Sequence, residues 1–332
     1  MKAVCHDESG EAGVLYVGEV PTPAVSDGEV LIEVEAAGVS RADVLQRRGL
    51  YPPPPGASPI LGLEVSGTVV AFGGDVLGFH EGDRVVALCN GGGYAQYVSV
   101  PSGQVLPLPE EWSFVEGATL PENAFTVHDN LLVRARLRRG ETVLVHGGGS
   151  GIGTTAIMFA LAVGAIPIAT VGGDTKCAAI LALGAKRVIN YRREDFVERA
   201  RAFTDGRGVD VILDIVGGEY LNRDLRALAL DGRIACIATP GGVEATIDLR
   251  YLIGRRATVL GSNLRPRTSD EKATVANGLR RDIWPLLRAR DPIVPLIDSL
   301  YTFLEAAQAH ERLESSEHVG KIILVPDAST HI

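Results

Sequence analysis

The sequence is poor in cysteine. Its four cysteines among 332 residues, Cys5, Cys89, Cys177 and Cys236, lie far apart and form no C-x-x-C pair. Disulfide scaffolds and cysteine zinc sites need numerous or closely spaced cysteines. The sequence therefore predicts four reduced, buried thiols, with neither a disulfide framework nor a cysteine zinc site.

Long apolar runs and basic clusters are also missing. No apolar stretch reaches the roughly 18 residues that span a bilayer, and the start MKAVCHDESG lacks the pattern of a signal peptide. The net charge is −9, whereas nucleic-acid binding depends on clustered Lys and Arg. We therefore expect a cytoplasmic globular protein, long enough for two domains, that binds no membrane and no nucleic acid.

The most informative segment is ETVLVHGGGSGIGTTAIMFALAV, residues 141–163. Thr142 to His146 form a short β-branched run that predicts a buried strand, and apolar residues at helical density follow the glycines. A glycine turn between a strand and a helix lets backbone N–H groups approach a pyrophosphate. The strict G-x-G-x-x-G pattern fails only at its middle position, which is a serine. The predicted cofactor-binding residues of this turn are Gly148, Ser150, Gly151, Ile152 and Gly153.

The segments after the turn decide its interpretation, because an isolated glycine cluster is weak evidence. Further strands are predicted at Ile166–Val171, Arg187–Tyr191, Val209–Ile215 and Arg233–Ile237, with helices between them and one ending at Gly184. Strands that alternate with helices at this spacing indicate a Rossmann-type, doubly wound parallel sheet in an α/β fold. After Ile237 the parallel pattern fades.

The residues before the turn have a different pattern. Short β-rich segments separated by Gly, Pro and Asp turns predict an antiparallel, barrel-like domain. Its one helix is predicted to begin after Ser40, as N-cap, and to stop at Gly49, before an extended loop over Pro52–Pro55. The predicted strands are Lys2–His6, Val30–Val34, Thr68–Ala71, Arg84–Leu88 and Tyr94–Val98.

The C-terminal residues are predicted to return to this β-rich domain, because no further dinucleotide half is present to receive them. The expected elements are a helical stretch over Arg267–Arg290 that ends at Asp291-Pro292, the segment Val294–Ile297, a helix over Thr302–Arg312 and a strand over Lys321–Val325. The predicted domains are thus 1–122 with 264–332, and 123–263.

Nearly the whole chain resembles the medium-chain dehydrogenase/reductases, and within them the zinc-independent NADPH:quinone oxidoreductases. The motifs that carry the resemblance include HGGGSGIG, LGAKRVINYRRED, VDVILDIVGG and GKIILVP. RRGLYPPPPGASPILGLE and NGGGYAQY look most like the branch that includes the apoptosis-associated mammalian quinone oxidoreductase, which also has Ser at the position of Ser150. The resemblance implies a GroES-like catalytic domain with the Rossmann domain inserted, and a homodimer.

Zinc-dependent members of this superfamily carry Cys and His ligands where this chain has Ser40 and Leu63. A serine and a leucine cannot complete a tetrahedral zinc site, so we expect no metal. Ketone reduction forms a strongly basic alkoxide and needs a Lewis acid or proton donor, whereas hydride addition to a quinone or enone gives a delocalised, weakly basic anion. The missing ligands therefore favour a quinone or enone acceptor.

The cofactor is expected to be NADPH. NAD-preferring Rossmann domains place an acid at the end of the second strand, where this chain has Gly172 and then Gly173. The resemblance implies that Lys176 and Tyr191 contact a 2′-phosphate. An alternative for Lys176 is a solvated first-turn lysine, and for Tyr191 a half-buried strand aromatic. Asp174 either opposes the phosphate or caps the following helix.

The resemblance places Tyr51 in the acceptor cleft, as hydrogen-bond donor to the carbonyl, although packing against the prolines remains an alternative. Ser40 stands where close relatives carry Asn near the nicotinamide, and it retains a shorter donor. Thr126 and Asn263 complete the expected cofactor contacts, although Asn263 is equally well an ordinary loop residue. His128 and His146 are interpreted as structural histidines, and no Ser/His/Asp arrangement supports hydrolysis.

Two alternatives to quinone reduction remain open from the sequence. A related branch with the same folds reduces the double bond of enoyl-thioesters. Other relatives are abundant lens proteins or RNA-binding proteins in which turnover is incidental, although the acidic charge opposes RNA binding.

Overall fold

A computed structural model describes residues 1–287 and 296–327 of the chain. The described residues divide into two compact units. The first contains Met1–Phe125 together with residues 265–287 and 296–327, and the second contains Thr126–Leu264. Within these residues no helix is both long and apolar enough to cross a membrane.

The strands and helices of the described residues are numbered in chain order. The strands are Lys2–Cys5 (β1), Tyr16–Glu19 (β2), Glu29–Val39 (β3), Glu64–Phe72 (β4), Arg84–Leu88 (β5), Tyr97–Pro101 (β6), Val105–Pro107 (β7), Thr142–Val145 (β8), Ile166–Val171 (β9), Arg187–Asn190 (β10), Val209–Asp214 (β11), Leu228–Cys236 (β12), Thr258–Gly261 (β13), Ile297–Thr302 (β14) and Lys321–Val325 (β15). The α-helices are Arg41–Arg47 (α1), Phe114–Gly117 (α2), Pro121–Val127 (α3), Gly151–Ala162 (α4), Asp174–Ala182 (α5), Phe196–Phe203 (α6), Tyr220–Ala227 (α7), Leu249–Arg255 (α8), Ser269–Asp282 (α9), Trp284–Leu287 (α10) and Ala306–Glu314 (α11).

The second unit is a six-stranded parallel sheet in the order β10-β9-β8-β11-β12-β13. Its core is made of apolar residues from the strands and from the helices packed on them. The chain order reverses between β8 and β11, and ligands of such sheets bind at this reversal, beyond the carboxyl ends of the strands. The predicted Rossmann fold is confirmed.

One parallel strand was missed by the sequence prediction. β13 pairs in parallel with β12, so the expectation that the pattern fades after Ile237 is wrong. The strand lies at the sheet edge and is largely exposed, and α8 before it buries none of its residues. Neither element therefore carries the apolar periodicity by which a strand or a helix is recognised.

The first unit is built on β3, which pairs with β4 along most of its length, with β6 at one end and with β15 at the other. The resulting sheet has the order β14-β15-β3-β4-β5-β7, and β1 and β2 form a separate antiparallel pair. The pairing is antiparallel except between β14 and β15, which are parallel. The antiparallel prediction is therefore correct for most of this unit and wrong at that edge.

Several element boundaries differ from the predicted ones. The segment predicted as Tyr94–Val98 becomes β6 only at Tyr97, because the fully buried Tyr94 pairs its backbone with Val4 in an isolated contact. The helical stretch predicted from Arg267 is confirmed as α9 and α10 as far as Leu287. Residues 288–295, which include Asp291-Pro292 and the beginning of the segment predicted at 294–297, lie outside the described residues.

The cysteines follow the predicted chemistry only in part. All four are free thiols, and Cys89 is buried. Cys5, Cys177 and Cys236 are only half-buried, so the expectation that all four are buried is wrong. Burial raises the pKa of the Cys236 thiol to about 12, with Asp214 acting in the same direction, so this thiol stays protonated at neutral pH.

Candidate active site

The glycine turn joins β8 to α4 and brings the helix very close to the strand. A Cβ on Gly153 would lie 2.3 Å from Gly147 O and 2.7 Å from Gly148 Cα, and a Cβ on Gly148 would lie 2.6 Å from the Ala169 Cβ. Atoms at these separations overlap, so no larger residue fits without movement of the backbone. The two outer glycines are thus required by packing.

Ser150, the middle position, is the N-cap of α4 and has φ −78°, a conformation open to any residue. Its hydroxyl accepts a hydrogen bond from Gly153 N at 3.0 Å and donates to Gly147 O at 2.8 Å. A serine therefore replaces the expected glycine without backbone strain, and it caps the helix. In the described part of the chain, the N–H groups of Gly151 and Ile152 have no acceptor, so they are available to an anion at this helix N-terminus.

The loops after β9 and β10 form a second part of the candidate cofactor site. Gly172 follows β9, and a Cβ there would lie 2.6 Å from Tyr191 Oη and 3.5 Å from Arg192 Nε. Lys176 lies in the first turn of α5, which begins two residues after Gly172. The fold thus brings Gly172, Tyr191 and Arg192 together, and it places Lys176 in the helix turn that follows Gly172; the sequence analysis did not single out Arg192.

Asp174 does not take the role of a helix cap, because the N-cap of α5 is Gly173. The Asp174 carboxylate accepts from Asn190 Nδ2 at 2.8 Å and lies 2.7 Å from Arg193 Nη1. These contacts neutralise the acid locally. In contrast, no ion pair involves Arg192 among the residues that the structure describes.

A third group lies beyond β13. Ser262 Oγ donates to Asn130 Oδ1 at 2.8 Å, and Asn130 Nδ2 donates to the carbonyl of Thr126 at 2.9 Å. These bonds connect the loop that carries Asn263 to the end of α3, which carries Thr126. The two predicted cofactor residues are therefore linked within the second unit through Asn130 and Ser262.

His146, at the end of β8, is a structural residue, as predicted. It is fully buried, with Nε2 2.8 Å from Asp224 Oδ1 and Nδ1 3.0 Å from Thr170 Oγ1. Phe196 and Tyr220 pack against its ring. Both ring nitrogens are engaged, which leaves the side chain unsuited to acid–base chemistry.

In the first unit, Ser40 is the N-cap of α1, as predicted, and it is buried. Its N–H and its hydroxyl both donate to Asp43 Oδ2, at 2.8 and 2.9 Å. The same carboxylate accepts from Gly62 N at 3.0 Å and from Tyr94 Oη at 3.2 Å. The Ser40 proton is thus directed to Asp43 in this structure, and the role of Ser40 near the nicotinamide stays a prediction.

Leu63 and Glu64 occupy the other positions of interest for zinc. Leu63 is buried, and the fully buried Glu64 pairs with Lys321 and accepts from Glu122 N at 2.9 Å. Glu64 and Glu122 raise the pKa of Lys321, so it stays charged. No cluster of three or more His, Cys, Asp or Glu side chains suited to a metal occurs in the described ranges. The position of the ligand set therefore holds an ion pair and an apolar side chain.

Tyr51 follows α1 at the start of the proline loop and is half-buried. The guanidinium carbon of Arg265 lies 5.2 Å from the centre of its ring, and Arg265 Nη1 donates to the Tyr51 carbonyl at 3.3 Å. Sequence reasoning missed Arg265, and it also missed Arg192. The adjacent arginines of NYRRED were a readable signal for Arg192, whereas a contact 214 residues apart in the chain had none.

Comparison with known proteins agrees with these features. Residues 26–110 match the alcohol dehydrogenase GroES-like domain family, and residues 151–278 match the zinc-binding dehydrogenase family. A quinone oxidoreductase of Rattus norvegicus is 32% identical over 98% of each chain. The Escherichia coli quinone oxidoreductase complexed with NADPH is 30% identical with a TM-score of 0.84, covering 98% of this chain and 100% of its own. An NAD-dependent alcohol dehydrogenase is 28% identical with a TM-score of 0.83 and the same coverage, so the fold alone does not select the cofactor.

Proposed function

We propose that this chain, which belongs to the quinone oxidoreductase family of the medium-chain dehydrogenase/reductases, reduces quinones or related electrophilic enones with NADPH and without zinc. The observation that carries the proposal is the pairing of two features. A glycine turn suited to a pyrophosphate stands beside Gly172, where the acid of an NAD-specific site is missing and the Tyr191 hydroxyl and Arg192 lie against the backbone. Both features lie in the second unit.

NADPH fits the residues of this unit. The first turn of α4 offers the N–H groups of Gly151 and Ile152 to the pyrophosphate, and a side chain on Gly153 would push the helix away from β8. We assign Lys176 and Arg192 to the 2′-phosphate, as charged donors, with the Tyr191 hydroxyl as a further donor. When bound, NADPH supplies the hydride.

The acceptor needs stabilisation of a weakly basic oxyanion. A quinone that has gained a hydride carries a negative charge with phenol-like basicity, so a hydrogen-bond donor of matched pKa stabilises it without full proton transfer. We assign this role to the Tyr51 hydroxyl. The hydride brings two electrons and one proton, and it converts the quinone to the hydroquinone anion. Solvent then supplies the second proton, which completes the hydroquinone.

The test of this function is NADPH oxidation by the purified, exhaustively chelated protein with three acceptors: a small para-quinone, a simple enone and an enoyl-thioester. We expect the quinone to be the best substrate and chelation to leave its turnover unchanged, because Ser40 and Leu63 provide no metal ligands. A requirement for added Zn²⁺, or a clear preference for the enoyl-thioester, would contradict the proposal.

Removal of the Tyr51 hydroxyl gives a prediction of moderate size. Tyr51→Phe should lower kcat/KM for a quinone about fivefold, which corresponds to one neutral hydrogen bond of about 1 kcal/mol, and should leave NADPH affinity unchanged. The enone should lose more, because its enolate is more basic. Steady-state kinetics with both acceptors measure this, and wild-type rates with both would show that Tyr51 only packs against the loop.

We also propose a homodimer. β13 is an edge strand, and apolar side chains stay exposed on it and on α8: Val259 at 39%, Leu249 at 57% and Ile253 at 72%. Uncovered strand edges next to apolar surface favour association. Light scattering should therefore give twice the chain mass of 35.1 kDa, and a Val259→Lys variant should be monomeric; a monomeric wild type would disprove the assignment.

A further inference from the structure

Arg265 is a buried cation with neutral partners. Only 7% of the residue is exposed, and its guanidinium donates to Gln46 Oε1 at 2.5 Å and to the carbonyls of Asn90 and Tyr51 at 3.1 and 3.3 Å. Its Nε is buried without an acceptor, and no carboxylate lies within ion-pair distance of it among the described residues. A buried charge without a counterion is costly, so its presence needs a reason.

A second buried cation lies beside Arg265. Lys272, on α9, is 1% exposed, and its Nζ donates to the Arg265 carbonyl at 2.9 Å and to Asn90 Oδ1 at 2.5 Å. Burial, with Arg265 and Arg267 nearby, lowers the pKa of Lys272 to about 8. Two cations are thus held side by side on neutral oxygens, with the nearest carboxylates, Asp43 for Arg265 and Glu271 for Lys272, outside hydrogen-bond contact with them.

These contacts converge on the segment that carries Tyr51. Arg265 lies under the Tyr51 ring and binds its carbonyl, while Gln46, which accepts from Arg265, donates to Pro59 O at 2.9 Å. Arg265 therefore connects both ends of the proline loop to α1. A guanidinium on the ring face withdraws electron density from the phenol and makes its hydroxyl a stronger donor.

We propose that Arg265 is the positioning residue for Tyr51: it holds the loop in place and, with Lys272 behind it, strengthens the phenol as a donor to the oxyanion of the reduced acceptor. The cation pair then favours acceptors in which the added hydride leaves negative charge on oxygen. This inference rests on the proposed function, because it needs Tyr51 to be the donor. Both cations act on the acceptor through Tyr51 in this proposal.

The experiment is a double-mutant cycle that combines Arg265→Met with Tyr51→Phe. Arg265→Met should lower kcat/KM for a para-quinone about fivefold in the wild-type background, no more than Tyr51→Phe does, and less than twofold in the Tyr51→Phe background, because the two residues act through one hydrogen bond. Arg265→Lys keeps the charge but not the fork-shaped donor, so its loss should be intermediate. Lys272→Met should lower kcat/KM about threefold, and only in the background that retains Tyr51.

A matched control is Arg280→Met. Arg280 is a half-buried arginine on the same helix as Lys272, and burial lowers its pKa as it lowers that of Arg265, but its guanidinium binds Val105 O and Asn277 Oδ1, away from the Tyr51 loop. The kcat/KM of Arg280→Met should stay within twofold of the wild-type value. Hydrogen exchange of the Ala57 and Ile60 amides, which donate to Pro54 O and Ser58 Oγ within the loop, gives a readout independent of turnover, and it should speed up in Arg265→Met but not in Arg280→Met.

The possible outcomes separate the two proposals. Equal losses in both backgrounds, or no loss from Arg265→Met, overturn the positioning role while Tyr51 remains the donor. A normal rate in Tyr51→Phe alone overturns the donor role itself, and with it the inference. If Arg265→Met does not fold, the cycle is run with Arg265→Lys, where a loss that survives Tyr51→Phe overturns the inference.

Discussion

Replacement of both Lys176 and Arg192 with alanine is expected to raise the Michaelis constant for NADPH at least about a hundredfold. A charge-assisted hydrogen bond is worth about 1.5–3 kcal/mol, and each 1.4 kcal/mol is a factor of ten, so two such contacts to one phosphate account for this loss. The constant for NADH should change less than about twofold, because NADH has no 2′-phosphate. Initial-rate kinetics with both cofactors at saturating quinone measure the ratio.

The control for this double variant is Arg199→Ala. Arg199 is an exposed arginine on α6 that pairs with Glu194 at 2.7 Å, so its removal takes one positive charge from the same unit at a site that does not border Gly172. A similar loss of NADPH affinity in this control would show that the total positive charge of the unit, and not these two side chains, determines NADPH binding. Equal losses for NADPH and NADH in the double variant would place both side chains away from the 2′-phosphate.

The second large effect is on stability, and it concerns the ion pair of Glu64 and Lys321. Lys321→Met should lower the free energy of unfolding by about 3–5 kcal/mol, because it leaves the fully buried Glu64 charge without its partner. The double variant Glu64→Gln/Lys321→Met should recover much of that loss, since it removes both charges. Lys2→Met, a change at an exposed lysine, should stay within about 0.5 kcal/mol of wild type.

The stability lost in Lys321→Met should depend on pH, and the protonation of Glu64 sets the direction of this dependence. Burial raises the pKa of Glu64 even beside Lys321, and removal of the ammonium raises it further. A carboxyl whose pKa is higher in the folded than in the unfolded state contributes stability below its unfolded value of about 4.3, and this contribution is lost as the pH rises through the folded pKa. The free energy of unfolding of Lys321→Met should therefore be closest to that of the wild type near pH 5, and the difference should grow towards pH 8.

Urea unfolding at pH 5 and pH 8 measures both predictions. A Lys321→Met variant as stable as the wild type at both values would mean that water reaches Glu64 and compensates its charge. A double variant no more stable than Lys321→Met would show that the hydrogen bond from Glu122 N to the carboxylate, and not the charge pair, is the important contact.

The sequence alone was sufficient for the Rossmann unit, the family and the type of reaction. Strand, turn and helix follow one another within residues 142–162, and their signals are local: apolar periodicity, glycines where a Cβ does not fit, and an N-cap. The family resemblance and the quinone reductase it implies agree with the relatives found. The missing zinc ligands and the missing acid at Gly172 are likewise read from single positions.

Only the tertiary structure decided how distant residues combine. It placed Arg192 beside Gly172, committed the Ser40 proton to Asp43, and paired Glu64 with Lys321. It also brought Arg265 under Tyr51, two residues far apart in the chain, and added the largely exposed β13 to the sheet. Contacts of this kind depend on the packing of whole elements, and the burial that gives a charge its energetic importance exists only after those elements have met.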